Sequence, residues 1–322
     1  MSRTSAFAAT LVLGLAAALA PPAGAQIVDH TAIDAVASYP QSVMDAIGGQ
    51  RWLFTHASVG GNIISGMDAL HASDATRYQL DPVAVSYLSS ETRVEDPPEP
   101  TVAGTVYECQ RGNPGWSAKF DIFDNSVRIS GWHLPAVDAA MDKLCYIDQN
   151  ADASIYLQTM EALEDDFPTT RFVYTTMPLT TSEDSNNVLR NQYNDTVREY
   201  CRNHGKLLFD IADMESHQPD GTAVTFVSGG ETYQKLFADY SSDGGHLNSD
   251  GSIRIATGWY AVARELVGGT GVPGDLDQDG DADAADLSVQ IGCRGPFACG
   301  DMDADGDTDG DDTTALLALL FG

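Results

Sequence analysis

Apolar runs and helical periodicity alternate between residues 50 and 267. Runs of consecutive apolar residues predict buried strands, whereas apolar residues three and four positions apart predict helices with one buried face. The predicted strands are Trp52–Thr55, Val83–Tyr87, Leu144–Ile147, Arg171–Thr175 and Lys206–Asp210. The predicted helices follow the first strand, with Ile63, Ile64, Met67 and Leu70 on one face, and cover residues 151–165, 186–203 and 252–267. Strands that alternate with helices favour an α/β domain with three layers (α/β/α), whose parallel sheet is covered on both faces.

One long segment does not follow this pattern. Residues 91–131 are rich in proline and glycine and show no clear period. Long irregular segments in compact domains usually run over the surface or border a functional site. We therefore expect this segment to pass over the edge of the sheet or the rim of an active site.

The beginning of the chain has the pattern of a secretory signal. Arg3 is followed by an apolar stretch over residues 6–20 and by the small residues Ala23-Gly24-Ala25 before Gln26. This order is typical of a cleaved signal peptide, and the alternative is a membrane anchor. We expect residues 1–25 to be removed and the remaining chain to be secreted or held at the cell surface. After them, no apolar run approaches the 18 or so residues that span a bilayer, so no membrane span is expected.

Charge excludes several kinds of partner. The chain has 17 Lys and Arg against 47 Asp and Glu, for a net charge of −30. A field of this sign repels the phosphates of nucleic acids and anionic membrane surfaces. The hydrophobic content of 43% is enough for a packed core, so global disorder is excluded as well.

The acidic residues are concentrated at the end of the chain. Residues 274–322 contain 13 Asp, no Glu and a single Arg. The preceding residues 268–274 are rich in glycine and have the composition of a flexible linker. We therefore predict a catalytic-type domain over 26–267, a linker over 268–274 and a small module over 275–322.

The small module contains two calcium-loop patterns 26 residues apart. In each, Asp occupies positions 1, 3, 5, 7 and 12 of a loop, and Gly280 or Gly306 occupies position 6, where a tight turn favours glycine. Alternate residues of such a loop direct oxygen atoms at one cation, and apolar helical patterns follow both loops. Two calcium ions are predicted, with these ligand positions: Asp275, Asp277, Asp279, Asp281 and Asp286 in the first loop and Asp301, Asp303, Asp305, Asp307 and Asp312 in the second.

This paired-loop module resembles a dockerin. Dockerins anchor secreted polysaccharide-degrading enzymes to cohesin domains, and they also use Asp at position 12. The resemblance implies a small α-helical module with two calcium loops and a cohesin-type protein partner.

The cysteines allow disulfides in an exported chain. The short spacing between Cys293 and Cys299 makes them the most favourable pair. Cys109, Cys145 and Cys201 remain, so at least one cysteine is unpaired, and the sequence does not choose among them. The chain has neither a C-x-x-C nor an H-E-x-x-H motif, so a zinc site has little support.

Candidate catalytic residues stand at both ends of the larger domain. Ser58 lies where the first predicted strand passes into a helix, a place that exposes a hydroxyl at the carboxyl edge of a sheet beside free helix N–H groups. Asp243 precedes His246 by three residues in Asp243-Gly-Gly-His-Leu-Asn248, so its carboxylate can orient the imidazole toward a serine. Alone, Ser58 could be a helix N-cap and the other two an ordinary polar turn. Together they favour a Ser–His–Asp triad.

These residues resemble the SGNH (GDSL-like) hydrolases over about residues 50–267. In that family the nucleophilic serine follows the first strand, and an Asp-x-x-His pair precedes the last helix. The resemblance implies a parallel, flavodoxin-like sheet, with Ser58 as nucleophile, His246 as base and Asp243 as its orienting partner. It also implies oxyanion donors from a glycine N–H and an asparagine. We expect Gly115 to supply the first beside the N–H of Ser58. The Gly-x-Asn-Asp motif that carries the asparagine is absent, and Asp148 lies near its expected place.

The α/β-hydrolase fold is the alternative with the same chemistry. It has the same order of serine, acid and histidine, but requires Gly-x-Ser-x-Gly where this chain has His56-x-Ser58-x-Gly60. It also places its acid and histidine on separate loops, so the three-residue spacing argues against it. His56 is expected to be structural or to border the site.

Taken together, the sequence predicts a secreted serine esterase that removes acetyl or similar groups from polysaccharides. No cofactor is expected for catalysis. A non-catalytic carbohydrate-binding or cell-surface protein with the same fold is the alternative.

Overall fold

The computed structural model describes residues 26–267 together with Thr313, Thr314 and Leu317. The predicted signal peptide, the linker, both calcium loops and the Cys293–Cys299 pair lie outside the described residues, and their assignments stay predictions.

Twelve strands are found among the described residues, several of them only two or three residues long. Their bounds are β1 (Gln26–Val28), β2 (Trp52–His56), β3 (Asp81–Ala84), β4 (Tyr87–Leu88), β5 (Arg93–Val94), β6 (Thr105–Gln110), β7 (Ala139–Asp142), β8 (Arg171–Phe172), β9 (Tyr174–Thr175), β10 (Leu207–Phe209), β11 (Thr225–Ser228) and β12 (Glu231–Gln234).

Helices connect these strands. Their bounds are α1 (His30–Ile33), α2 (Gln41–Ile47), α3 (Val59–Ser73), α4 (Trp116–Arg128), α5 (Ala153–Asp166), α6 (Ser185–His204), α7 (Ile211–Glu215) and α8 (Ser249–Leu266). Short 3-10 turns cover Asp34–Ser38, Tyr146–Asp148 and Ala238–Tyr240.

The central strands form a parallel sheet. β8 and β9 are separated only by Val173; β8 pairs with β7, and β9 pairs with β10. Through this shared segment the strand order runs β3-β6-β2-β7-β8/β9-β10-β1, with every pair parallel. The five inner strands follow one another in the order 2-1-3-4-5 that doubly wound sheets adopt. The predicted α/β architecture with a parallel sheet is therefore confirmed.

The sheet has a packed core on each face. Along β2, Trp52 and Phe54 face one core, which includes apolar residues of α3 and α8, whereas Leu53 faces a second core with residues of α4, α5 and α6. The alternation follows from the pleat of a strand, which turns successive side chains to opposite faces. The two cores place helices on both sides of the sheet.

Segment 91–131 is not irregular as predicted, because it supplies β6, the strand next to β2, and helix α4. The expectation that it borders the candidate site holds for Gly112 and Asn113, which line the cavity beside Ser58. The strand was missed because Glu108 and Gln110 interrupt its apolar pattern. Both polar residues lie toward its carboxyl end, beside the candidate site.

Two further strand predictions are corrected. The strand predicted over 144–147 lies instead at β7, and the apolar Leu144 and Cys145 are buried in the loop that follows it. That loop is apolar because it packs under the turn that carries the candidate serine: Cys145 Sγ lies 3.5 Å from the carbonyl oxygen of Ala57. The strand predicted over 83–87 is divided, because β3 ends at Ala84 and β4 pairs antiparallel with β5.

Cys109, Cys145 and Cys201 are free, buried thiols. Among the described residues, none of the helices combines the length and the apolar character that crossing a membrane requires.

Candidate active site

Ser58 occupies a strained turn between β2 and α3. Its backbone has φ 58° and ψ −118°, and it is one of two residues other than glycine with positive φ within the described chain. Such a conformation costs on the order of 1–3 kcal/mol for a residue with a Cβ, and strained residues cluster at functional sites. Ser58 stands at the N-cap position of α3, but its side chain makes no capping hydrogen bond. Its hydroxyl is used elsewhere.

The structure brings Ser58, His246 and Asp243 into one hydrogen-bonded line. Ser58 Oγ lies 2.7 Å from His246 Nε2, across 188 residues of sequence. On the other side of the ring, His246 Nδ1 lies 2.7 Å from Asp243 Oδ2. The second carboxylate oxygen, Oδ1, accepts the backbone N–H groups of His246 at 2.8 Å and Gly245 at 3.0 Å. The loop therefore fixes its own carboxylate against the imidazole.

These hydrogen bonds keep the carboxylate ionised. The backbone N–H of His246, the imidazole and the N–H of Gly245 lower the pKa of Asp243 to about 2. An ionised carboxylate accepts hydrogen bonds and cannot donate one, so the proton of the neutral ring resides on Nδ1. The lone pair of Nε2 is then directed at the hydroxyl of Ser58. This is the arrangement in which an imidazole can remove a proton from a serine.

Helices α3 and α8 hold the two halves of the site together. Ser58 immediately precedes α3, and His246 lies just before Asn248, which caps α8 by accepting the N–H of Gly251. Asn62 in the first turn of α3 accepts the backbone N–H of Leu247 at 3.2 Å. A hydroxyl inside the histidine loop, that of Ser241, donates to the carbonyl of His246 at 2.7 Å. The position of the imidazole is thus fixed from both sides.

His56 packs against the turn that carries Ser58. It is buried, stacks on Phe54 with 4.6 Å between ring centroids, and holds Glu108 Oε2 at 2.6 Å from its Nε2. Burial lowers the pKa of His56, against the opposing effect of the Glu108 carboxylate. Residue 60 is glycine because a Cβ there would overlap the His56 side chain. The arrangement fits the structural role expected for His56.

A cavity of about 480 Å³ opens beside the serine. It is lined by Ala57, Ser58, Gln110, Gly112, Asn113, Tyr146, Ile147 and His246. These residues lie at or beyond the carboxyl ends of β6, β2 and β7, or precede α8. In a doubly wound sheet, ligands bind in the crevice outside the carboxyl ends, where the strand order reverses, and here that point lies around β2. A volume in this range accommodates a small ligand.

Gly115 does not line this cavity. It is exposed and stands at the start of α4 with φ 99°, where a glycine suits the left-handed backbone. Gly112 and Asn113 of the same loop line the cavity instead. Sequence reasoning missed them because β6 was not predicted; a strand ending at Gln110 would have placed both residues at the carboxyl edge of the sheet.

One group among the described residues has metal-ligand chemistry. His30, Asp213 and His217 present ligand atoms within 4.8 Å of one another, and none of them lines the Ser58 cavity. The rings of His30 and His217 are stacked 3.5 Å apart and nearly parallel, at 7°. The lone pair of a ring nitrogen lies in the ring plane, so two stacked imidazoles do not direct their lone pairs at one point. The carboxylate of Asp213 binds His30 Nδ1 at 2.5 Å instead.

Comparisons with known proteins yield structural similarity only. No protein-family model matches the chain, and no curated protein matches it. Similar solved structures include a protein of Bacteroides fragilis provisionally named an acylhydrolase, with 11% identity and a TM-score of 0.42 over 67% of this chain and 88% of that one. They also include a GDSL-like lipase from Bacteroides thetaiotaomicron, with 10% identity and a TM-score of 0.40 over 71% of this chain and 94% of the other.

Proposed function

We propose that this protein is a serine hydrolase that cleaves carboxylic esters through Ser58, His246 and Asp243. The observation that carries the proposal is the continuous line of two 2.7 Å contacts from Ser58 Oγ through His246 to Asp243. It lies beside an open cavity, and the nucleophile stands on a strained turn. A helix cap or a polar surface turn would require neither the strain nor the contact across 188 residues.

The reaction follows from these positions. His246 Nε2 takes the proton of Ser58 Oγ as the oxygen attacks the ester carbonyl, which gives a tetrahedral intermediate with a negative oxygen. Collapse of this intermediate breaks the ester C–O bond, and the imidazolium returns the proton to the leaving alcohol. Water then repeats the sequence on the acyl-serine and releases the carboxylic acid and free Ser58. Asp243 stabilises the imidazolium in both halves.

The proposed activity can be tested with a chromogenic acetyl ester. We expect the wild type to turn over p-nitrophenyl acetate, and a fluorophosphonate probe to label it with one adduct at Ser58. Ser58→Ala and His246→Ala should each lower kcat by a factor on the order of 10³ or more, and the double variant should be no worse, since the residues act as a unit.

Ser65→Ala is the matched control, because Ser65 is an exposed serine of α3, the helix that follows Ser58. Full turnover in Ser58→Ala would refute the proposal, and absence of both turnover and labelling in the wild type would favour the non-catalytic alternative.

We also propose where this esterase acts and on which class of substrate. The signal-like residues 1–25 and the Asp-rich loops of 275–322 support a secreted or cell-surface esterase with a calcium-dependent, dockerin-like anchor. Acetylated polysaccharide is then the most suitable substrate class, and a cohesin-type protein the corresponding partner. An acyl-release screen against acetylated polysaccharides, with the deacetylated polymers as controls, tests the substrate class directly.

A further inference from the structure

A buried lysine lies behind the candidate active-site cavity. Lys119 in α4 has a fully buried side chain, and its ammonium group contacts two oxygens: Asp148 Oδ2 at 2.5 Å and Asn113 Oδ1 at 2.9 Å. Asp148 is itself 5% exposed. Asn113 is the member of this group that reaches the surface and lines the cavity beside Ser58.

The lysine determines which way the Asn113 amide faces. An ammonium group has three donors and no acceptor, so the amide group must turn its oxygen toward Lys119. The amide NH₂ of Asn113 then faces away from Lys119. It donates to no residue within 26–267, so both of its N–H groups are available to a ligand in the cavity. The positive charge behind the oxygen also polarises the amide and strengthens its N–H groups as donors.

Asp148 connects this group to a second loop that lines the cavity. The same Oδ2 that binds Lys119 accepts the backbone N–H of Cys145 at 2.7 Å. Tyr146 and Ile147, which follow Cys145, also line the cavity. Buried ion pairs are a poor source of folding stability, because desolvation offsets their attraction. Here the pair holds a neutral donor at a cavity wall and fixes two loops relative to each other.

We propose that Asn113 is an oxyanion donor and that Lys119 and Asp148 are its positioning residues. The inference rests on the proposed esterase function. When Ser58 attacks, negative charge develops on the carbonyl oxygen of the ester, and the Nδ2 hydrogens of Asn113 stabilise it. Asp148 lies near the place expected for an asparagine of the absent Gly-x-Asn-Asp motif, and as a carboxylate it cannot donate. It acts through Lys119 on an asparagine of the neighbouring loop instead.

Asn113→Asp is the most informative variant. The carboxylate keeps an oxygen against Lys119 and so preserves the fold, but it replaces the N–H donors with a negative charge facing the developing oxyanion. We expect kcat for p-nitrophenyl acetate to fall by a factor on the order of 10²–10³, with KM nearly unchanged. The melting temperature should stay within a few degrees of the wild type. Asn113→Ala should lose a similar factor, and Asn150→Asp, an exposed asparagine outside this cavity, should match the wild type.

The positioning role is tested by removing the ion pair as a whole. Lys119→Met leaves a buried carboxylate unpaired and can unfold the protein, so the variant of choice is Lys119→Met/Asp148→Leu, which replaces both charges with apolar groups. It should lower kcat by about tenfold or more without a matching change in KM, since the amide of Asn113 is then free to turn. Introduced into Asn113→Ala, it should cause little further loss, because Lys119 acts through Asn113.

The outcomes separate the two proposals. If the wild type turns over ester and Asn113→Asp retains its kcat, the oxyanion role is wrong and the serine esterase stands. If Lys119→Met/Asp148→Leu lowers kcat by the same factor in the wild-type background and in the Asn113→Ala background, the positioning role is wrong. Unfolding of the pair variant would also refute it, since the pair would then be needed for stability itself. A wild type that neither turns over ester nor reacts with a fluorophosphonate would refute both proposals.

Discussion

Gly66 of α3 lies against Ser252 of α8 with no room for a side chain between them. A Cβ on residue 66 would overlap the carbonyl oxygen of Ser252 and would lie 2.9 Å from the Cβ of Ala256. This backbone-to-backbone approach fixes the middle of α3 against the first turn of α8. Ser58 immediately precedes α3 and His246 lies just before α8, so the contact helps to hold the two residues together.

Gly66→Ala should therefore impair both stability and turnover. The methyl group must push α3 away from α8, which we expect to cost about 1–3 kcal/mol in the free energy of unfolding. A displacement on the order of 1 Å between nucleophile and base can lower the rate about 10²-fold. Urea unfolding and kcat measured on one preparation test both effects.

Gly61→Ala is the matched control on the same helix. A Cβ there would lie 3.7 Å from its nearest neighbour, Gln110 Nε2. Alanine should stabilise the helix by about 0.5–1 kcal/mol through its lower entropy cost. A Gly66→Ala protein as stable and as active as Gly61→Ala would contradict the proposed role of the helix contact.

Patterns that are local in sequence were sufficient to predict part of the fold and site. Asp243 and His246 lie on one short loop, and Ser58 follows the apolar run that predicts β2. Residues three positions apart on a short loop can contact each other, so the sequence alone indicates that Asp243 orients His246. The same holds for α5, α6 and α8, whose apolar periods are long and regular.

Features that depend on tertiary contacts could not be predicted in this way. β6 is a strand because β2 and β3 flank it, although Glu108 and Gln110 interrupt its apolar pattern. The importance of Asn113 depends on Lys119 and Asp148, which come from a helix and from the turn after β7. Nothing in the spacing of the three residues indicates that they meet. The glycine motif around Gly115 does not show which of its residues reaches the cavity, because the end of β6 sets the register of the loop.

Asp243→Asn should retain the loop but lose most of the activity. Its amide oxygen can still accept the backbone N–H groups of His246 and Gly245, whereas its NH₂ group would face Nδ1 and favour the wrong tautomer of the ring. We expect kcat to fall by a factor on the order of 10²–10⁴.

The pH dependence of that loss follows from the lowered pKa of Asp243, about 2. The wild-type carboxylate stays ionised above about pH 4 and is protonated only as the pH falls toward 2, so its contribution is present over the whole working range. The deficit of Asp243→Asn should thus be present at every pH from 5 to 9. Steady-state kinetics of both proteins across this range test it, and equal kcat values would exclude Asp243 from the triad.

Glu215 should make the protein less stable as the pH rises. Its side chain is fully buried; Oε2 accepts the N–H of Leu179 at 2.9 Å, and Oε1 has no partner. Burial raises the pKa of Glu215 to about 8 from 4.5, although Lys143 and Arg190 act in the opposite direction. The folded state therefore holds a proton that the unfolded chain releases, and stability declines as the pH rises from 4.5 through 8.

Glu215→Gln removes this titration while keeping the shape of the protonated acid. Near pH 4.5 the variant and the wild type should be similarly stable, whereas at pH 8 the variant should be more stable by on the order of 3 kcal/mol. Denaturant unfolding at several pH values, with the exposed Glu231→Gln as control, measures the difference. A stability difference that does not change with pH would show that Glu215 is already ionised in the folded protein.

Calcium should fold the Asp-rich end of the chain without affecting ester hydrolysis. Residues 274–322 contain 13 Asp, whose mutual repulsion opposes a compact state, and so small a module cannot bury enough apolar surface to fold alone. Two Ca²⁺ ions would neutralise four negative charges and link each loop to the helix after it, so the free energy of binding would become free energy of folding. We expect calorimetry on the full chain to detect two ions with dissociation constants of about 10⁻³ M or tighter, and circular dichroism to detect a gain of helix that Mg²⁺ does not reproduce.

The double variant Asp275→Ala/Asp301→Ala should abolish both signals, whereas Asp165→Ala should retain them, because Asp165 is an exposed aspartate of the larger domain. Turnover of p-nitrophenyl acetate should be the same in calcium and in chelator, because none of Ser58, His246 and Asp243 belongs to the loops. Equal helix content with and without calcium would refute the calcium-dependent folding, and loss of turnover in chelator would show that the domain boundary at 268–274 is wrong.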